Sequence, residues 1–233
     1  MIKKAIILSG GIGSRMGKTT ENIPKVMLEL AGKPLLQHNI ELLRAYGVKE
    51  ICINLHYLPK KIKDFLRNGE RFRVKIHYNY EPELLGTSGA LLAFKEILTN
   101  DFFVLYGDVI GKVDIGKWVS FHKEKNSDAT LIIHPSSHPE DSDIVQLDKN
   151  NRIIKVIKKP GNRRYGILGN AAWYIVSPKI FNYLPIEKSD FIKDVFPKML
   201  EEGCKLYGYS TDEFICDVGT PERFKKAREQ FFK

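Results

Sequence analysis

The chain has 233 residues, 43% hydrophobic and 28% charged, with 18 Gly and 11 Pro, a balance that excludes disordered, collagen-like and low-complexity chains. A formal charge of +9, from 37 Lys and Arg against 28 Asp and Glu, favours anionic partners, but the cations are dispersed without an RNA-recognition or helix-turn-helix pattern, so phosphorylated small molecules are expected rather than nucleic acid. No apolar run reaches the ~18 residues of a membrane span, Met1 to Lys4 leads into a strand without a cleavage site, and Cys52, Cys204 and Cys216 offer neither a disulfide framework nor a metal knuckle, so a cytoplasmic chain with reduced, mostly buried thiols and no membrane partner is expected.

Ala5-Ile6-Ile7-Leu8 is a compact apolar run that meets Ser9-Gly10-Gly11, as a buried parallel strand meets a glycine-rich turn. From Pro34 the apolar residues Leu35, Leu36, Ile40, Leu43 and Tyr46 follow a helical period that stops at Gly47. A strand over 50–55, a helix over 60–67, a strand over 74–78, a helix over 88–98 and a strand over 102–106 continue the alternation. Such an order implies a mostly parallel sheet covered by helices, with ligands beyond the carboxyl ends of the strands. Residues 9–15 and Gly107-Asp108 lie at such ends. After an apolar run over 129–133 the runs shorten, at 144–147, 152–157 and 171–176, and predict an antiparallel insertion. A helix over 189–202, strands over 205–209 and 214–217 and a helix from Pro221 complete one α/β domain over residues 1–233. The sequence ends at Lys233, and a single activity is expected.

The segment from Leu8 to Thr19 carries the most chemical information. A P-loop ending at Gly17-Lys18-Thr19 requires glycine at position 12, which is Ile. A dinucleotide fingerprint set on Gly11 and Gly13 requires glycine at position 16, which is Met. Two readings remain: a turn whose amides wrap a phosphate chain beside the fixed cationic fork of Arg15, or a plain tight turn with a surface arginine.

Gly10 to Arg15 followed by Pro24-Lys25, then Leu85-Gly86-Thr87-Ser88-Gly89-Ala90-Leu91, Leu105-Tyr106-Gly107-Asp108 and Asp217-Val218-Gly219-Thr220-Pro221-Glu222, resemble in order the signatures of the sugar-1-phosphate nucleotidyltransferases. The resemblance implies a Rossmann-like three-layer α/β/α fold with a mostly parallel central sheet and a small antiparallel sugar-side insertion. It also implies that an oxygen of a sugar 1-phosphate attacks the α-phosphorus of a nucleoside triphosphate in line and releases pyrophosphate. Arg15 and Lys25 would supply positive charge to the phosphates, as catalytic residues. Leu8, Gly10, Gly11, Gly13, Ser14, Gly86, Thr87 and Ser88 would bind the nucleotide, and Gly107, Lys159 and Asn170 the sugar phosphate. Asp108 and Asp217 are assigned to Mg²⁺, which takes hard oxygen ligands and keeps phosphate oxygens and waters in its other positions; capping and turn roles are the alternative for both.

Several positions depart from the family pattern. Lys158 stands where an acid often touches sugar hydroxyls, Ala172 follows Asn170-Ala171 where Gly is usual, and Ser14 and Met16-Gly17-Lys18 alter the first turn. Gly-Ser-Arg-Met-Gly is also similar to cytidylyltransferases of alcohol phosphates, and a nucleotide-binding module without catalysis is the alternative of another class. Residues 134–143, 102–109 and 206–209 resemble the mannose- and manno-heptose-1-phosphate guanylyltransferase branch, which implies GTP as the nucleotide. His134 and His138 have the spacing of a zinc pair, but Pro135 and Pro139 forbid the helix that would join them. Asp190 and Lys193 are candidates to line the sugar site, with helix capping as the alternative. A homo-oligomer is left open.

Overall fold

The structure, a computed structural model, describes residues 1–162 and 164–231; Arg163, in the basic run 155–164, and Lys233 lie outside them. In chain order the elements are β1 (Lys4–Leu8), β2 (Glu29–Leu30), β3 (Lys33–Pro34), α1 (Leu35–Tyr46), β4 (Glu50–Leu55), α2 (Pro59–Leu66), β5 (Lys75–Tyr80), α3 (Gly86–Gly89), β6 (Phe102–Tyr106) and β7 (Val109–Gly111). There follow α4 (Ile115–Glu124), β8 (Ala129–Pro135), β9 (Ile144–Leu147), β10 (Ile153–Ile157), β11 (Leu168–Val176), α5 (Phe196–Glu201), β12 (Leu206–Ser210), β13 (Ile215–Asp217) and α6 (Pro221–Phe231). No helix among the described residues is long and apolar enough to cross a membrane.

The chain divides into two compact units, one of Met1–Leu84, Val104–Val113 and Glu213–Lys233, the other of Leu85–Phe103 and Asp114–Asp212. In the first, β1 pairs in parallel with β4 and β4 with β5, and β1 is bordered on its other side by β6. Ala5, Ile6 and Ile7 are fully buried, as a central parallel strand covered on both faces requires. The helix after Pro34 ends as its sequence predicts: Gly47, at φ 104°, donates to Arg44 O, and Val48 donates to Leu43 O, the two bonds of a Schellman cap. A second apolar cluster joins Met16, Leu28, Leu30 and Leu35 to Ile110, Val218, Phe224 and Ala227, so it anchors α6 to the segments around β7 and β13.

In the second unit the strand order is β10-β9-β11-β8-β12, antiparallel throughout except for the parallel pair β8 and β12. The expected antiparallel insertion is therefore present, while the strand expected over 205–209 joins it in parallel. The helix expected over 88–98 is one short turn, α3, followed by i to i+3 bonds from Leu91 to Ser88, Phe94 to Leu91 and Ile97 to Phe94. Glycines at 86 and 89 weaken the α-ladder there, and the three-residue spacing of buried Leu91 and Phe94 suits the tighter winding. The helix expected over 189–202 opens as a π-turn over Phe191–Val195, with Phe196 N–H on Phe191 O, because Pro197 has no N–H with which to continue an α-ladder. Four elements had no expectation, β2, β3, β7 and α4. The strand expected over 214–217 is β13, and its partner is β7 in a separate antiparallel ribbon.

Candidate active site

At the end of β1 the chain must turn without losing its backbone bonds. Ser9 N–H donates to Asn54 Oδ1 at 2.8 Å, and Asn54 Nδ2 donates to Glu81 Oε1 at 2.9 Å, all three residues being buried. A Cβ on Gly10 would meet Asn54 Nδ2 at 2.9 Å, so this polar bracket leaves room only for glycine. Gly13 lies at φ 75°, and its carbonyl accepts from Met16 N–H and the Thr20 hydroxyl, which starts the 3₁₀ turns of Ser14–Thr20. Gly11, Ser14 and Arg15 are exposed on this turn. The turn is thus braced from below and open above, as a phosphate cradle needs.

Lys25 follows Pro24 in a short 3₁₀ turn and is only 6% exposed. Its Nζ donates to Asp108 Oδ2 and lies 3.9 Å from Asp217 Oδ1. Arg223 Nη1 holds the other oxygen, Asp217 Oδ2, at 2.6 Å. The backbone fixes the two acids relative to one another: β7 pairs with β13, Asp217 opposite Val109, and Val218 N–H donates to Asp108 O at 2.9 Å. Asn39, 1% exposed on α1, donates its amide to Val109 O at 3.0 Å and Gly107 O at 3.4 Å, on either side of Asp108. Gly107 N–H reaches Leu8 O at 2.9 Å, and a Cβ there would sit 2.8 Å from that oxygen. A Cβ on Gly219 would lie 2.8 and 2.9 Å from the Asp217 oxygens and 3.1 Å from Arg15 Nη2, so Arg15 reaches the same cluster.

The Asp108 and Asp217 side chains keep 27% and 37% of their surface exposed. Among the described residues no third His, Cys, Asp or Glu joins them in a metal-holding group. Two hard carboxylates that share one cation and remain open to solvent fit Mg²⁺, which is usually bound through one or two carboxylates plus phosphates and waters. Arg223 and Asn39 were not among the candidates read from the sequence. A signal existed for Asn39, a polar residue on the apolar stripe of Leu35, Leu36, Ile40 and Leu43.

In the second unit Gly86, at φ 81°, lies against the segment before the π-turn. Ser88 N–H donates to Ser189 O at 3.1 Å, Ser189 N–H to Leu85 O at 2.9 Å, and Ser88 Oγ to Ser189 Oγ at 2.8 Å. Thr87 Oγ1 donates to Asp190 Oδ2 at 3.2 Å, and Lys158 Nζ meets the same oxygen at 2.8 Å. Asp190 Oδ1 accepts from Ile192 and Lys193 N–H, so Asp190 caps the π-turn, the alternative foreseen for it. Burial pushes its carboxyl up, but Lys158, the Lys193 N–H and Thr87 together hold it below the usual carboxylate range. Asp143 moves the other way, raised by burial and by the charge of Asp190.

Lys159, at φ 38°, pairs with Asp141 at 3.0 Å and is half exposed. Asn170 Nδ2 donates to Tyr174 Oη at 2.8 Å while its Oδ1 accepts from Ala172 N–H at 3.0 Å. Ala172 sits at φ 57° in the β11 bulge, where a glycine would be unstrained. His134 and His138 bond separately, to Pro135 O and Ser137 Oγ. The sequence candidates therefore divide between the units, Leu8 to Arg15 with Lys25, Gly107, Asp108 and Asp217 in the first, and Gly86 to Ser88, Lys159 and Asn170 in the second, where the last three keep separate partners.

Parallel strands that run into a glycine-rich turn, with carboxylates at neighbouring strand ends, define a Rossmann-like α/β protein. The family model described as Nucleotidyl transferase matches residues 4–233, and the chain belongs to that family. It is 33% identical over 230 residues to a mannose-1-phosphate guanyltransferase of Yarrowia lipolytica, covering 95% of this chain and 62% of the relative. It is 31% identical over 232 residues to a UTP–glucose-1-phosphate uridylyltransferase of Synechocystis, covering 93% and 60%. The chain thus spans about three-fifths of the length of these curated relatives. Among solved structures, HddC from Yersinia pseudotuberculosis complexed with GMP-PN superposes with a TM-score of 0.82 at 29% identity, over 99% of this chain and 100% of that one.

Proposed function

We propose that this chain is an Mg²⁺-dependent sugar-1-phosphate nucleotidyltransferase that uses GTP and a manno-configured acceptor, mannose 1-phosphate or D-glycero-α-D-manno-heptose 1-phosphate. The observation that carries the proposal is the buried Lys25 beside Asp108 and Asp217, with Arg15 and the open glycine-rich turn in the same unit. A triphosphate and a sugar phosphate repel one another, and nucleotidyl transfer between them needs alignment and positive charge more than covalent help. The attacking phosphate oxygen is already an anion, so no general base is required. One P–O bond forms at the α-phosphorus as the bond to pyrophosphate breaks. Lys25 and Arg15 offset charge on the phosphates, the exposed amides of the turn after Leu8 bind their oxygens, and Asp108 and Asp217 would hold the metal. Bound Mg²⁺ would neutralise phosphate oxygens and orient the two anions.

The guanylyl preference is supported by the mannose-1-phosphate guanyltransferase relative and by the HddC structure with GMP-PN. A uridylyl preference is the second reading, favoured by the Synechocystis relative. Pyrophosphate release with Mg²⁺, with GTP, CTP, UTP, ATP and dTTP crossed against the two manno acceptors and glucose 1-phosphate, separates them. Release with GTP and a manno acceptor is expected. Release with UTP and glucose 1-phosphate establishes the second reading, and nucleotide binding with no release across the panel points to a non-catalytic module.

A further inference from the structure

The first unit holds its two carboxylates ready with a lysine between them, although an ammonium and a divalent ion need the same oxygens. We infer that Lys25 is the internal counter-ion of the metal cradle, and that a metal ion and Lys25 exclude one another at Asp108 and Asp217 until a nucleotide phosphate offers the ammonium a new partner. The inference rests on the reading above only in taking the two aspartates as metal ligands.

Three observations carry it. Lys25 is 6% exposed, and a cation so buried is costly unless paired. Its Nζ contacts Asp108 Oδ2 and stands 3.9 Å from Asp217 Oδ1, so the ammonium faces both carboxylates assigned to the metal. Asp217 Oδ2 is held independently by Arg223 at 2.6 Å, so Asp217 stays oriented whichever cation faces its other oxygen. Without nucleotide, an arriving metal would leave the ammonium buried and unpaired. With a triphosphate present, Lys25 transfers to phosphate oxygens and frees the carboxylates. Metal and nucleotide are then linked, each strengthening the binding of the other, and Lys25 is the side chain through which they are coupled.

The test is a titration with Mn²⁺, read from the electron paramagnetic resonance amplitude of the free ion, with no nucleotide and no sugar phosphate. Lys25→Met is expected to bind Mn²⁺ about tenfold more tightly than the unaltered chain, within the ~5- to 150-fold range usual for coupled sites. Lys25→Arg, which keeps the charge, should remain weak, and Asp108→Asn added to Lys25→Met should abolish the gain. Lys25→Gln makes the same prediction should the methionine variant not fold. Equal or weaker binding by the neutral variants, a gain that survives Asp108→Asn, or no Mn²⁺ binding by any variant overturns the inference. No turnover is read, so failure of the catalytic proposal leaves this result standing; equal Mn²⁺ binding by all variants overturns the inference alone, whereas no Mn²⁺ binding by any variant also removes the metal assignment that both share.

Discussion

Gly86→Ala places a methyl group where the second unit has neither space nor a tolerant backbone. At φ 81° the residue is left-handed, which costs an L-residue ~1–2 kcal/mol. The new Cβ would also lie 2.2 Å from Ser189 O, an oxygen that accepts Ser88 N–H and belongs to the residue whose N–H donates to Leu85 O. Moving Ser189 away strains both bonds, each with a net value of ~0.5–1.5 kcal/mol. The expected loss is about 3 kcal/mol, or roughly 6–12 °C in Tm for a chain of this size. Urea and thermal denaturation measure it, and the KM for the nucleotide should rise with it if residues 86–88 bind the base. Gly89→Ala is the control, since its φ is ordinary and its Cβ would first meet Leu85 Cβ at 3.0 Å. Loss within about 0.5 kcal/mol of zero for Gly86→Ala, the usual spread of neutral substitutions, would show that neither the backbone nor Ser189 excludes a side chain at position 86.

Asp108→Asn should lower turnover by orders of magnitude while circular dichroism shows an intact fold, and Tm should fall, because the buried Lys25 ammonium keeps only Asp217, 3.9 Å away, as an anionic neighbour. Asn39→Ala leaves the buried carbonyls of Gly107 and Val109 without their shared donor; a cost of about 1–3 kcal/mol in urea denaturation and a raised Mg²⁺ requirement are expected. Ala172→Gly relieves φ 57° in the β11 bulge and should stabilise by about 1 kcal/mol. Asp190, whose folded carboxyl is held low, contributes stability that is present above the ordinary value of about pH 4 and lost as pH falls through the depressed folded value. Asp190→Asn should therefore flatten the acid limb of the stability curve, measured by urea midpoints from pH 6 downward.

Much of the first unit was legible because its signals are local. An apolar tetrapeptide ending in Ser9-Gly10-Gly11 and a periodic run closed by Gly47 each depend on neighbours within one element, and both formed as read. The helix expected over 88–98 failed because its apolar spacing fits a period of three as well as 3.6, and Gly86 and Gly89 decide between them. The pairing of β7 with β13 was not legible, since it joins segments about a hundred residues apart and β7 is only three residues long. That pairing aligns Asp108 with Asp217, so the sequence shows the two acids while the fold shows that Lys25 and Arg223 hold them. Lys158 illustrates the same limit: its departure from the family pattern is visible in the chain, but its pairing with Asp190 emerges only in the fold.

In the proposed reaction a sugar-phosphate oxygen attacks the α-phosphorus of GTP. The most direct test supplies a manno-configured sugar 1-phosphate labelled with ¹⁸O on its phosphate, together with GTP and Mg²⁺, and reads the products by mass spectrometry. A GDP-sugar that retains every labelled oxygen, with unlabelled pyrophosphate, is expected. Labelled inorganic phosphate, label in the pyrophosphate, or no nucleotide sugar while GTP is consumed would contradict it.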